Sequence, residues 1–202
     1  MADDVGTDWA HYYEWTSGRP PRPVLLAACE HLGFGAGRTA IDLGCGAGID
    51  ALALAARGWS VVAIDSEPAG LALLGAQIPA GSAGQIRIVR ASYAEAVFPR
   101  AHLIHAGYSL PFCDPGQFPA LWSRIRGALA QGGIFAGQLF GVRDSWAAGP
   151  MMTFHDSDQV SSLLDGLEIL QLRETERDGE ASTGPKRWHV YDILAQKALE
   201  CP

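Results

Sequence analysis

The chain is short of cysteine, of positive charge and of long apolar runs, and each shortage excludes something. Its 202 residues include four cysteines, Cys29, Cys45, Cys113 and Cys201. No CxxC pair exists, so no metal site is expected, and the cysteines read as small buried hydrophobes. Fifteen Lys and Arg face 22 Asp and Glu, a formal net charge of −7. Proteins that hold nucleic acid or anionic membranes carry basic surfaces, so neither is an expected partner. No stretch approaches the ~20 apolar residues of a membrane span. The opening MADDVGTDWAHYYEW is acidic and aromatic, unlike a signal peptide, which makes a cytoplasmic location the expectation. Repeats and low-complexity segments are missing too. Hydrophobic residues make up 48% and charged residues 18%, a balance that packs a core.

Glycine is what the chain has in excess. Its 24 glycines are about 12% of the residues against a usual ~7%. No collagen period accounts for them, so many are expected where the backbone needs unusual angles.

An aromatic head (Trp9, His11, Tyr12, Tyr13, Trp15) leads into SGRPPRP. Pro23 opens a predicted helix through Leu32, with Leu25, Cys29 and Leu32 on one face and Gly33 after it. A strand at 40–43, a helix at 49–57 closed by Gly58, a strand at 60–64 and a helix at 68–78 follow. Strands at 86–89 and 103–105 come next. Asp114-Pro115 reads as a helix start, Phe118, Leu121, Trp122, Ile125 and Leu129 as its buried stripe, and Gly132-Gly133 as its stop. A fifth strand spans 134–139. Alternating strands and helices predict a parallel sheet covered on both faces. The tail differs: strands at 167–176 and 187–195 joined around Asp178-Gly179 and Gly184-Pro185 predict an antiparallel edge pair.

The strongest chemical signal is Ala40-Ile41-Asp42-Leu43-Gly44-Cys45-Gly46-Ala47-Gly48, between the first strand and the next helix. Glycines there let the backbone approach a ligand, and the helix N-terminus offers free N–H groups. The third glycine comes one residue too early for the dinucleotide pattern GxGxxG, and no GK[ST] follows to make a P-loop. Asp65 ends the second strand, twenty-one residues after Gly44, where a carboxylate can accept from both hydroxyls of a ribose. Asp42 would repel a pyrophosphate but attract an amino group or a sulfonium.

These motifs resemble those of class I S-adenosylmethionine (SAM)-dependent methyltransferases, most closely the small bacterial tellurite-resistance type. AIDLGCGAGID is similar to their first motif and VVAIDSEP to their second. PFCDPGQFPALWSRIRGALAQGGIFAGQLF resembles the segment from their fourth strand to their fifth, and RETERDG…KRWHVYDILAQK their last two strands. The resemblance covers residues 20–197. It implies an α/β, Rossmann-like doubly wound sheet of seven strands, order 3-2-1-4-5-7-6, with strand 7 antiparallel and helices on both faces. It implies SAM as cofactor, S-adenosylhomocysteine as product, and a methyltransferase domain at 36–202 preceded by a lid at 1–35. Gly44, Cys45, Gly46 and Gly48 would border the methionine part, with Asp42 near its positive end. Asp65 would hold the ribose with Ser66 beside it, and Ser92 would stand near the adenine. Arg19 would meet the SAM carboxylate, and His105 would lie beneath the cofactor.

Methyl transfer is an in-line displacement at an activated carbon, so positioning can supply most of the acceleration. A base is needed only for an acceptor that arrives protonated. His105 is the first candidate base and otherwise a packing or orienting histidine. Tyr108 is a second catalytic candidate or a cap on the core. Tyr12, Tyr13, Arg143 and His155 are candidate contacts to a small-molecule acceptor. The competing readings are a sheet-edge helix for the two tyrosines, a hydrogen-bonded loop for Arg143 and an exposed loop for His155. Two alternative functions stand beside methyl transfer: an NAD(P)-dependent oxidoreductase and a non-catalytic SAM-binding protein. The oligomeric state is not legible.

Overall fold

A computed structural model describes residues 8–82, 85–149 and 151–199; Cys201 and the first seven residues of the expected lid lie outside them. Five strands run parallel: β1 (Thr39–Leu43), β2 (Ser60–Asp65), β3 (Ile86–Arg90), β4 (Ala101–Ala106) and β5 (Leu129–Gly141). A two-residue strand, β6 (Phe154–His155), adds to the end of β5. β7 (Leu167–Ala181) and β8 (Gly184–Lys197) form a hairpin, and β8 also pairs antiparallel with β5. The order is β3-β2-β1-β4-β5-β8-β7. Apart from β6, this is the expected seven-stranded order with the final strand antiparallel.

Among the described residues six α-helices accompany the sheet: α1 (Trp9–Trp15), α2 (Pro23–Leu32), α3 (Ile49–Ala55), α4 (Pro68–Gln77), α5 (Phe118–Ala128) and α6 (Ser157–Leu164). Strand side chains alternate between faces, and the two faces build separate cores. Ile41, Leu43, Ile104 and Ala106 pack with α5 and α6. Ala40 and Leu103 pack with α2, α3 and α4. Two residues nearer the carboxyl end of each strand, that second face carries Asp42 and His105, cross-strand partners in the β1–β4 ladder. Apolar alternation thus gives way to charge where the strands end.

Several boundaries differ from expectation for local reasons. Asp114 does not cap α5. Its carbonyl accepts from the Gln117 and Phe118 amides and its Oδ1 from Gly116, which makes a turn, and the helix starts at Phe118. Leu129 leaves that helix already extended, so Gly132-Gly133 fall inside β5, where the ladder shifts register. The predicted buried stripe is intact: Phe118, Leu121, Trp122, Ile125 and Leu129 are all buried. In the hairpin the turn lies at Ser182-Thr183, and Asp178-Gly179 pairs with Lys186-Arg187 inside the strands. Gly184, at φ +108, supplies the left-handed backbone at the turn's exit.

Candidate active site

The order reverses at β1 and β4. Their crossovers leave in opposite directions and open a crevice at the carboxyl ends of the strands, where open α/β sheets bind ligands. The glycine loop rises from β1 into it. Gly44, Gly46 and Gly48 all have positive φ, at +74°, +52° and +83°. A Cβ on Gly44 would lie 2.3 Å from the Ser109 Cβ, and one on Gly48 would lie 2.3 Å from Leu74 Cδ1. The Tyr13 ring rests on Gly46, 3.0 Å from where its Cβ would be. The loop therefore needs glycine for conformation and for packing alike.

Beneath the loop is a cavity of about 40 Å³, bordered by Tyr12, Tyr13, Arg19, Asp42, Asp50 and the glycine loop. Asp42 is 2% exposed, and its Oδ2 has no hydrogen-bond partner. Burial, opposed by His105 and reinforced by Asp50, pushes its carboxyl up to about 7. Asp50, in the first turn of α3, is the hub of the surrounding charges. It accepts from Arg19 through two N–H groups, at 2.6 and 3.3 Å, and from the Arg22 amide at 2.9 Å. Burial works against its ionisation, but His105 and Arg19 outweigh burial and hold the carboxyl below the ordinary carboxylate range. His105 is completely buried. Its Nδ1 lies 2.9 Å from the Ala136 carbonyl oxygen, and its Nε2 lies 3.5 Å from Asp50 Oδ2, an ion-pair separation.

Asp65 stands at the rim. Its Oδ2 accepts from the Gly46 amide at 2.7 Å and its Oδ1 from the Glu67 amide at 2.9 Å. Each oxygen keeps a further lone pair for another donor. Burial raises its pKa, against those backbone hydrogen bonds. Ser66 is exposed next to it. Ser92 donates its hydroxyl to Glu95 at 2.7 Å, so an acid does stand beside the end of β3, three residues beyond the expected place. Cys45 is buried in the loop, and burial raises its pKa.

The aromatic head forms α1, capped by Asp8, which accepts from the His11 amide at 3.0 Å. Tyr13 is buried on Gly46 and Gly70, while Trp9 meets Phe112 edge-on with centroids 5.1 Å apart. His11 Nε2 donates to the Ser182 carbonyl at 3.1 Å, joining α1 to the hairpin tip. Tyr108 has a φ of +58°, packs against Phe140 and Trp188, and carries the Arg22 guanidinium 4.4 Å above its ring.

Arg143 and His155 are placed elsewhere. Arg143 bonds Glu174 and Glu176 on β7. His155, in β6, is buried with its ring 4.6 Å from Phe118, and burial lowers its pKa to about 4. Neither borders the cavity. Glu174, Glu176 and His189 converge closely enough to hold an ion, but Arg143 already supplies the positive charge there.

Sequence reasoning missed Asp50, Arg22 and Ser109. An acid two residues after Gly48 was the available signal for Asp50. It also missed a buried ion pair of Lys186 and Asp144, in which the ammonium lies 3.9 Å from the Trp146 ring centroid and 4.5 Å from that of Trp188.

Comparison with known proteins follows the same outline. Residues 40–133 match the family model described as a methyltransferase domain. An uncharacterised methyltransferase of Synechocystis sp. is 27% identical over 138 residues, 63% of this chain and 64% of that protein. The match thus spans just under two thirds of that relative's length. TehB of Haemophilus influenzae superposes with a TM-score of 0.76 at 15% identity, over 94% of this chain and 67% of that one. A Burkholderia thailandensis 1,6-didemethyltoxoflavin-N1-methyltransferase, with its substrate and S-adenosylhomocysteine bound, gives 0.66 at 21% identity over 94% and 84%. Magnesium protoporphyrin IX methyltransferase of Synechocystis, with SAM bound, gives 0.69 at 12% identity over 96% and 93%. Residues 40–133, glycine loop included, are thus similar to a methyltransferase domain, and the described residues share the Rossmann-like fold of these neighbours.

Proposed function

We propose that this protein transfers a methyl group from SAM to a small-molecule acceptor. The observation that carries the reading is the pair of opposite charges at the glycine loop. The buried Asp42 carboxylate has an unpartnered oxygen, and Arg19 borders the same cavity. A free amino-acid end matches this pair: its ammonium satisfies Asp42 and its carboxylate meets Arg19. A pyrophosphate would face Asp42 with like charge. Asp65 offers its remaining lone pairs to a ribose, with Ser66 beside it, and Ser92 and Glu95 stand where an adenine edge would reach. SAM- and S-adenosylhomocysteine-bound neighbours of the same fold support the same ligand.

The donor set fits the group, but the cavity of about 40 Å³ is far below the ~300 Å³ at which small-molecule pockets begin. α1 therefore serves as the lid. Tyr13 lifts from Gly46 to admit the ligand, and Tyr12 and Tyr13 then close over it. When bound, SAM supplies a carbon already activated by its sulfonium: the acceptor's lone pair forms the new bond, and the carbon–sulfur pair leaves with sulfur. The residues hold that line and exclude water; effective molarity is worth up to ~7–11 kcal/mol. Tyr108, on its left-handed backbone after β4, borders the acceptor side.

Calorimetry with S-adenosylhomocysteine and NAD tests the reading. Micromolar binding of the former and none of the latter is expected, and binding of NAD alone would sink it in favour of an oxidoreductase. A screen with methyl-labelled SAM against thiols, phenols, amines and tellurite separates an enzyme from a binding protein. Label should pass to at least one class.

A further inference from the structure

The mechanism above leaves His105 and Asp50 without an assignment. Both are buried, and Asp50 touches two separate parts of the chain, the segment before α2 and strand β4. We infer that His105 and Asp50 form a positioning couple: His105 braces Asp50, and Asp50 aims the Arg19 guanidinium at the carboxylate of the bound cofactor. The inference rests on the SAM reading and deepens it.

The ring geometry carries the argument. Nδ1 sits 2.9 Å from a backbone carbonyl oxygen, that of Ala136, which only accepts, so Nδ1 must donate. Nε2 then faces Asp50 Oδ2, 3.5 Å away. A histidine so held is a poor base for an acceptor. Nδ1 is engaged, Nε2 faces a carboxylate, and the ring is fully buried and does not border the cavity.

Asp50 divides its two oxygens among these groups. Oδ1 takes the Arg22 amide and one Arg19 N–H, and Oδ2 takes the second Arg19 N–H at 2.6 Å while facing His105. Arg19 also donates to the Pro20 carbonyl, at 3.0 Å. Of the five N–H groups of a guanidinium, those left over are available to a ligand in the cavity that Arg19 borders. The charges facing the couple are Asp42 from β1 and Arg19 from the segment before α2, with Asp65 behind Asp42.

Calorimetric titration of S-adenosylhomocysteine at one fixed pH tests this on the full-length protein. His105→Gln should bind about tenfold more weakly than wild type, the size of one lost interaction of about 1.4 kcal/mol. Asp50→Asn should weaken binding similarly, and adding Arg19→Lys to it should cost less than Arg19→Lys alone. Thermal melts establish that each variant is folded. If wild type binds and either folded variant keeps its affinity, the couple is refuted while the SAM reading stands. If wild type binds no S-adenosylhomocysteine, both are refuted.

Discussion

A glycine in a ligand loop can serve the ligand, the backbone or a neighbour, and here the three separate by residue. Gly48 combines φ +83° with the Leu74 side chain where its Cβ would go. Gly48→Ala should therefore cost about 1–3 kcal/mol from overpacking and a further ~1–2 kcal/mol from left-handed backbone. Urea unfolding would measure the sum. Adding Leu74→Ala should remove the steric part only, and a double variant no better than additive would refute the packing role. Such roles are half legible in sequence. The GxGxG spacing and Asp65 stand out because motif and strand end coincide. Asp50 did not, because an acid in a first helical turn reads as an ordinary complement to the helix dipole. His105 was legible as a titratable group at a strand end. Which atoms its two nitrogens face depends on β5 and α3, which meet it only in the fold.

At the scale of elements, strands and helices were legible wherever one periodicity dominated. The α5 stripe and the parallel strands came directly from apolar spacing. The hairpin was legible as an antiparallel pair but not in its full length: charged residues alternate along β7, and Gly179 and Gly184 mimic a loop, while cross-strand pairing continues to Ala181. β6 is two residues long, below any pattern. What binds elements together is more exact than their patterns. Asp144 accepts from Trp146 N and His189 N and pairs with Lys186, tying the loop after β5 to β8. Both partners are buried, so Asp144→Ala would strand a charged lysine among aromatic rings and should cost about 3–5 kcal/mol. A denaturation midpoint unchanged from wild type would count against that link. α1 is held differently. A Cβ on Gly70 would fall 2.7 Å from Tyr13 Oη and 3.0 Å from the Gly46 carbonyl carbon. Gly70→Ala raises helix propensity by ~1 kcal/mol yet should push Tyr13 off the loop. The expected result is faster proteolysis around residues 9–15 and quicker release of S-adenosylhomocysteine in stopped flow. Unchanged cleavage would mean that Tyr13 is not the contact that seats α1.

For the whole molecule, the site's charge has a consequence for stability against pH, and it is set against another buried group. Asp42 has a folded pKa near 7 against an ordinary 3.8. The folded state thus holds a proton that the unfolded chain has released. Its contribution is complete below about pH 4 and is lost as pH rises through 7. His155 runs the other way. Its folded pKa is near 4 against 6.5, so its contribution is complete above 6.5 and is lost as pH falls through 4. The two groups lie on opposite faces of the sheet, His155 against Phe118 of α5 and Asp42 on the face of α2 and α3, so their effects should add. Between pH 4 and 6.5 they oppose each other, which flattens the wild-type profile. Asp42→Asn should then gain stability with rising pH more steeply than wild type, by at most about 1.4 kcal/mol per pH unit. His155→Leu should instead lose stability as pH rises toward 7. Urea unfolding at pH 4.5, 5.5, 6.5 and 7.5 reads both slopes, and variants that run parallel to wild type would overturn the assignment. Asp42→Asn should also be the more stable protein above pH 7 while binding S-adenosylhomocysteine at least tenfold more weakly, because the unpartnered carboxylate that burdens the empty fold is the group that receives the ammonium of its ligand.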